Sequence, residues 1–409
     1  MAEVRPFHGV LPAQSKAELV AAPPYDVVDR EEGARIAEAN AYCFLRVSRA
    51  EIELSPELSP YAPSVYTHAR RNYMRLKAVT PLSMDGARYH YVYRLTMGRH
   101  VQTGIITTAS LDDYEQNTIV RHERTRPEKV KDRTDHILAL GAQTGPVFLT
   151  YPDVEAIDAV VAQVVTTAPV FDVRRPDGVQ HTLWRVPLDR VHDLTSHFRA
   201  VPRLYIADGH HRAESASRVR EICRGQNLSH TGREEYNRFL AVVFPSSQLQ
   251  ILPYNRVVSD LNGLSAEAFL DQARAHFRVK SAASPTPSEP GTIHAFLEGA
   301  WWELQFTGDL DRLSDLEALD VSLLQDHVLG PILGIEDPTT DDRIDFVGGI
   351  RGAAELEKRV RERRAAVAFA LYPTRIDQVM SVSDAGKVMP PKSTWFEPKL
   401  ADGLVIHEI

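Results

Sequence analysis

The chain has 409 residues, of which 43% are apolar and 25% charged, and its net charge is −8. That length exceeds one ordinary core and predicts two or three domains, while the composition excludes disordered, collagen-like and mucin-like chains. The acidic balance argues against a dedicated nucleic-acid binder, and two cysteines, Cys43 and Cys223, form neither a disulfide framework nor a cysteine-rich zinc site.

In chain order, the N-terminus has no apolar leader and a helix is predicted over 31–39. A proline-bearing stretch, 55–64, precedes a helix at 65–76, and β-branched, aromatic runs at 88–95 and 101–108 read as a hairpin. Further strands are predicted at 147–151, 182–186, 204–207, 239–244 and 249–254, with helices at 212–223 and 266–276. The Ser/Pro/Ala-rich segment 281–291 reads as a surface loop or a domain joint, so the chain divides into 1–280 and 292–409. A hairpin at 292–297 and 301–306, helices at 321–329 and 353–364, and a buried strand at 367–371 complete the set. The longest apolar run, 365–372, is too short to cross a bilayer, so a soluble, cytoplasmic protein without membrane contact is expected. The fold class is mixed α/β to α+β.

The chemistry concentrates in a few segments. At 204–216 an apolar strand ends in Asp208-Gly209, then His210-His211-Arg212 open a helix. Gly209 permits positive φ and close backbone approach, and a helix start offers N–H groups and a positive dipole end to an anion. Asp208 is suited to accept a proton or meet a metal ion; the plain alternative is a strand-turn-helix with capping histidines. A second segment, 120–133, holds His122, Glu123, Lys129 and Arg133 and reads either as a solvated charged helix or loop, or as a base placed beside cations. Near the C-terminus Met389-Pro-Pro-Lys392-Ser393-Thr394 is a proline-stiffened loop suited to phosphate or carboxylate, with Lys399 beyond it. Pro23-Pro24-Tyr25-Asp26 reads better as an ordinary loop, and the glycines of 346–352 carry only a weak anion-nest signal. Walker, Rossmann, zincin and nucleophile-elbow motifs are absent.

Taken together, Pro23-Pro24-Tyr25-Asp26, His122-Glu123 with Lys129 and Arg133, Asp208-Gly209-His210-His211-Arg212, and Pro390-Pro391-Lys392-Ser393-Thr394 with Lys399 resemble the domain-of-unknown-function family numbered 1015. The likeness runs over essentially the whole chain. The Asp208–Arg212 element also resembles the phosphate-binding motif of free serine kinases, which implies a ParB/sulfiredoxin-like nucleotide-binding core. That resemblance implies transfer of a phosphoryl group from ATP or ADP, with Mg²⁺, to a small hydroxylated acceptor such as serine. It implies Glu123 as base beside His122, and Asp208 on Mg²⁺ or the acceptor hydroxyl. Gly209, His210, His211 and Arg212 would hold phosphates, with Lys129, Arg133, Lys392, Ser393 and Thr394 completing an anion clamp. Ala213 departs from the motif, which commonly has an aromatic residue there, and predicts a reshaped pocket. A nucleotide sensor without turnover and a small-nucleotide phosphohydrolase are the alternatives, and the oligomeric state stays open.

Overall fold

Residues 91–110 form the expected hairpin, pairing from Tyr91 with Ile106 to Met97 with His100 across Gly98-Arg99, where Gly98 takes φ +61°. The computed structural model describes residues 1–79 and 82–409. In it the hairpin is the middle of a nine-stranded sheet. Its strands are Val4–Arg5 (β1), Tyr91–Met97 (β2), His100–Ser110 (β3), Ile119–Val120 (β4), Val147–Tyr151 (β5), Phe171–Arg174 (β6), Gln180–Arg185 (β7), Leu204–Asp208 (β8) and Arg238–Pro245 (β9). The order is β4-β8-β5-β9-β3-β2-β7-β6, with β1 on β3. The β8/β4 and β9/β5 pairs are parallel and the others antiparallel, so the sheet is mixed.

Strand β9 is buried along its whole length, which is why it reads as an unbroken apolar run rather than an alternating one. Val92, Ile105, Leu149, Ile206 and Ala241 build one core with Ile157, Leu194 and Phe198 from covering helices. Ala213 belongs to that core. A second core joins helix Pro63–Val79 (α1), helix Pro127–Leu140 (α2) and a small sheet in which Ile406–Glu408 lies between Gly9–Pro12 and Ala142–Gln143. Pro127 starts α2 rather than breaking the charged segment, because the first turn of a helix needs no N–H from its N1 residue.

The chain folds as two compact units, 1–249 with 398–409, and 250–397. The expected divide at 281–291 therefore falls inside the second unit, where that segment is the connection between strands Phe277–Ser281 and Thr292–Leu297. The second unit holds a six-stranded antiparallel sheet and a separate strand pair, Gln250–Leu252 with Trp395–Glu397. The single strand expected at 249–254 is two strands in two sheets, interrupted at Pro253, which has no N–H to donate. The helix expected at 321–329 is a short α-helix, Asp320–Leu324, continued by one wide turn, Gln325–Leu329. Among the described residues no helix is long and apolar enough to cross a membrane.

Candidate active site

The first unit brings two of the sequence motifs together at the carboxyl end of β8. The pairing of β8 with β5 slips between Ile206 and Asp208, a bulge that re-aims the strand's last side chain. Gly209 follows with φ +96° and is the N-cap of helix His210–Gln226 (α3), with no side chain capping the helix start. A Cβ on Gly209 would lie 2.8 Å from Arg212 Nε, so glycine is required here both by conformation and by space. The start of α3 is thus available to an anionic partner.

The two histidines of this turn are clasped by the segment after β4. The His122 backbone N–H donates to His210 Nε2 at 3.3 Å, and the Arg126 N–H donates to His211 Nε2 at 3.0 Å. With Nε2 accepting, the His210 proton resides on Nδ1, which faces Glu123 Oε2 at 3.7 Å. The His122 ring stands edge-on to His210 with centroids 4.5 Å apart. Burial drives the His122 imidazole down to about 4, against the Asp208 carboxylate and the Ile206 carbonyl, and burial beside His122 pushes His210 well below its usual range. Both rings are neutral near pH 7. His122 Nδ1 is buried without a partner, whereas the Glu123 side chain is 40% exposed.

Asp208 is flanked by Lys399, whose Nζ lies 3.1 Å from Oδ2, and by Arg212, 3.8 Å from Oδ1. Although burial alone would raise it, these cations hold the Asp208 carboxyl well below the usual carboxylate range. A carboxylate already neutralised by two cations is a poor ligand for a resident metal ion. Among the described residues no group of three His, Cys, Asp or Glu side chains is placed to hold one, so a metal ion at Asp208 would need a bound phosphate and water as its further ligands.

Behind Arg212 lies a small cavity of about 30 Å³, enough for roughly two waters. Tyr25, Arg133, His136, Gly145, Arg212 and Asp402 line it. The Arg133 guanidinium sits 4.2 Å over the Tyr25 ring and donates to Asp132 at 2.8 Å, and Arg212 donates to the Pro146 carbonyl. Burial lifts the Asp402 carboxyl to about 7, against the pull of Arg212. Reciprocal backbone bonds between Ala22 and Asp402 tie the N-terminal proline turn to this end of the chain.

His122, Glu123, Asp208, Gly209, His210, His211 and Arg212 are therefore gathered in one place, and Arg133 joins them through the shared cavity. Lys129 instead donates to Tyr61 Oη at 2.9 Å. Lys392, Ser393 and Thr394 belong to the second unit. Three contributors are not evident from sequence. Tyr25 reads there as part of an ordinary loop, Lys399 has no role of its own, and Asp402 carries no signal beyond its place after that lysine.

The sequence profile of a family described as protein of unknown function (DUF1015) matches residues 4–322. No curated protein matches the sequence. Among solved structures, similarity is found to a free serine kinase mutant in complex with AMP, at TM-score 0.36 and 13% identity over 73% of this chain and 88% of that one. SbnI with C-terminal truncation from Staphylococcus aureus gives TM-score 0.37 and 12% identity, over 72% and 84%. A conserved hypothetical protein from Pyrococcus furiosus gives 0.33 and 13%, over 74% and 96%.

Proposed function

Because this chain belongs to the DUF1015 family, whose description assigns no reaction, we propose a function from its site: phosphoryl transfer from a nucleotide, ATP or ADP, to the hydroxyl of a small molecule, a serine-like amino acid first. The observation that carries this reading is the uncapped start of α3 at Gly209, with Arg212 and Lys399 beside it and the Glu123 carboxylate 3.7 Å from His210 Nδ1. Phosphoryl transfer asks a protein for charge neutralisation, alignment and a proton acceptor, with little covalent chemistry.

In this reading the backbone at 209–212 and the Arg212 and Lys399 charges receive the phosphates. Glu123, partly exposed, takes the acceptor's proton, and the neutral His210 presents Nδ1–H toward that carboxylate and fixes its direction. Asp208 keeps Lys399 and Arg212 in place, and magnesium comes with the nucleotide rather than residing in the protein. Arg133 acts through the cavity it shares with Arg212. The core of the first unit is read as ParB/sulfiredoxin-like. Both cysteines are unpaired, in keeping with a reducing, cytoplasmic setting.

The test is a phosphorus NMR time course with the full chain, magnesium, ATP or ADP, and a pool of hydroxy amino acids. A phosphomonoester resonance that needs the acceptor is the expected result, and splitting the pool identifies the acceptor. Release of inorganic phosphate alone would make the protein a hydrolase, and unchanged nucleotide with broadened lines would make it a binder.

A further inference from the structure

The second unit carries a cationic loop of its own, and the reaction proposed above does not depend on it. Pro390 and Pro391 stiffen the approach to Lys392, a non-glycine residue at φ +58°. The carbonyls of Pro391 and Lys392 turn inward and accept from Arg256 Nη2 at 3.3 and 3.1 Å, while Nη1 donates to the Tyr254 carbonyl. Arg256 is only 3% exposed. The Phe346 ring packs 5.3 Å from its guanidinium, and among the described residues no carboxylate lies within ion-pair distance. Burial accordingly pulls Arg256 down to about 9. A buried cation with no counter-charge is costly.

A trans peptide sets its N–H opposite its C=O. Turning the Pro391 and Lys392 carbonyls onto Arg256 therefore aims the N–H groups of Lys392 and Ser393 away from it. Neither N–H has an intramolecular acceptor among the described residues. The Lys392 amine lies 5.5 Å over the Tyr254 ring, on an exposed residue. Ser393 does not offer its hydroxyl, which donates to the Pro390 carbonyl at 2.6 Å. Two amide donors without an intramolecular acceptor and an exposed amine thus share one short loop, backed by a buried guanidinium with no counter-charge, a donor set suited to an anion.

We propose that the 389–394 loop is a binding site for a small oxyanion, the phosphoryl group or carboxylate of a small molecule. The ligand is held by the N–H groups of Lys392 and Ser393 and by the Lys392 amine. Arg256 is a positioning residue, whose buried charge and carbonyl contacts keep the two amides presented.

Trp395 meets Tyr254 edge-on at 5.0 Å and so reports on this loop. The full chain is labelled with 5-fluorotryptophan, and of its four tryptophans the Trp395 fluorine resonance is assigned with Trp395→Phe. Titration with inorganic phosphate and, separately, acetate shifts that resonance saturably, and the tighter of the two names the ligand class. Lys392→Gly keeps the backbone conformation while removing the amine, and weakens binding at least tenfold. Arg256→Met weakens it as much if the variant folds; if it does not, Lys392→Gly carries the test. His210→Ala, in the first unit, leaves the Trp395 shift unchanged whether or not the kinase reading holds. An equal response to chloride, no saturation, or loss of the signal in His210→Ala but not in Lys392→Gly overturns the proposal.

Discussion

Lys399 Nζ lies 3.1 Å from Asp208 Oδ2, closing an ion pair between residues 191 positions apart. The pair depresses the folded-state Asp208 carboxyl, so its stabilisation is complete above the unfolded carboxylate range near pH 4 and is lost as pH falls toward the lower folded value. Lys399→Met therefore lowers Tm at pH 7, and the gap to the parent chain narrows below about pH 4. Calorimetry across that range checks it. A gap independent of pH would mean that Lys399 supports the fold by packing alone.

Buried histidines make the first unit acid-sensitive. Burial lowers His90 and His181 to about 3, and His122 and His136 to about 4. Below the ordinary value near 6.5 the unfolded chain gains protons that these rings refuse, so stability falls as pH drops from 6.5 toward 4. Each imidazole costs on the order of 2 kcal/mol at pH 5. His136 Nε2 bonds to the Val47 carbonyl at 2.9 Å. His136→Gln preserves a donor there and should give a shallower decline in Tm between pH 7 and 5.

The second unit responds in the opposite direction. Asp320 is buried and accepts from the Gly291 N–H at 2.8 Å and the Tyr372 N–H at 3.2 Å, yet burial lifts it to about 7. A carboxyl raised in the fold is stabilising when protonated, and that contribution fades as pH climbs from about 4 through 7. The loss at pH 8 is about 4 kcal/mol relative to pH 4. Asp320→Asn removes this dependence while Oδ1 still accepts from the Gly291 N–H, so amide-exchange protection at Gly291 should hold between pH 5 and 8 in the variant and decline in the parent.

Gly209→Ala should be far more damaging to nucleotide binding than Gly98→Ala. Both sit at positive φ, where a side chain costs about 1–2 kcal/mol. A Cβ at Gly98 meets nothing within 4 Å, whereas at Gly209 it meets Arg212. A larger loss of Tm in Gly209→Ala than in Gly98→Ala, with at least tenfold weaker nucleotide binding only in Gly209→Ala, is the expected outcome, measured by thermal melting and calorimetric titration.

Much of the site is legible in the sequence because its chemistry is local. A strand, Asp208-Gly209, and a helix opening with charged and imidazole side chains are contiguous in the chain, and their turn geometry follows from residue type. Strands such as Val147–Tyr151 and Thr292–Leu297 are legible for the same reason: their apolar runs are bounded by turn residues. What escapes are the long-range partners. Nothing about Lys399 announces that it meets Asp208, and Asp402 pairs its backbone with Ala22 across almost the whole chain. Tyr25 reads as a loop residue until Arg133 is seen stacked on it. The unit boundary is hidden because a Ser/Pro-rich connection marks surface exposure, whether or not it joins compact units.

The second unit is an interruption: the first breaks off at Leu249 and resumes only at Pro398. Residues 398–409 supply Lys399 to Asp208, Asp402 to the cavity and Ile406–Glu408 to the small sheet. On the ribosome, then, Asp208 and the start of α3 emerge long before the segment that neutralises and seals them. A chain stopped short of residue 398 would hold every motif residue of the strand–helix turn and still lack the Lys399 charge on Asp208 and the Asp402 wall of the cavity.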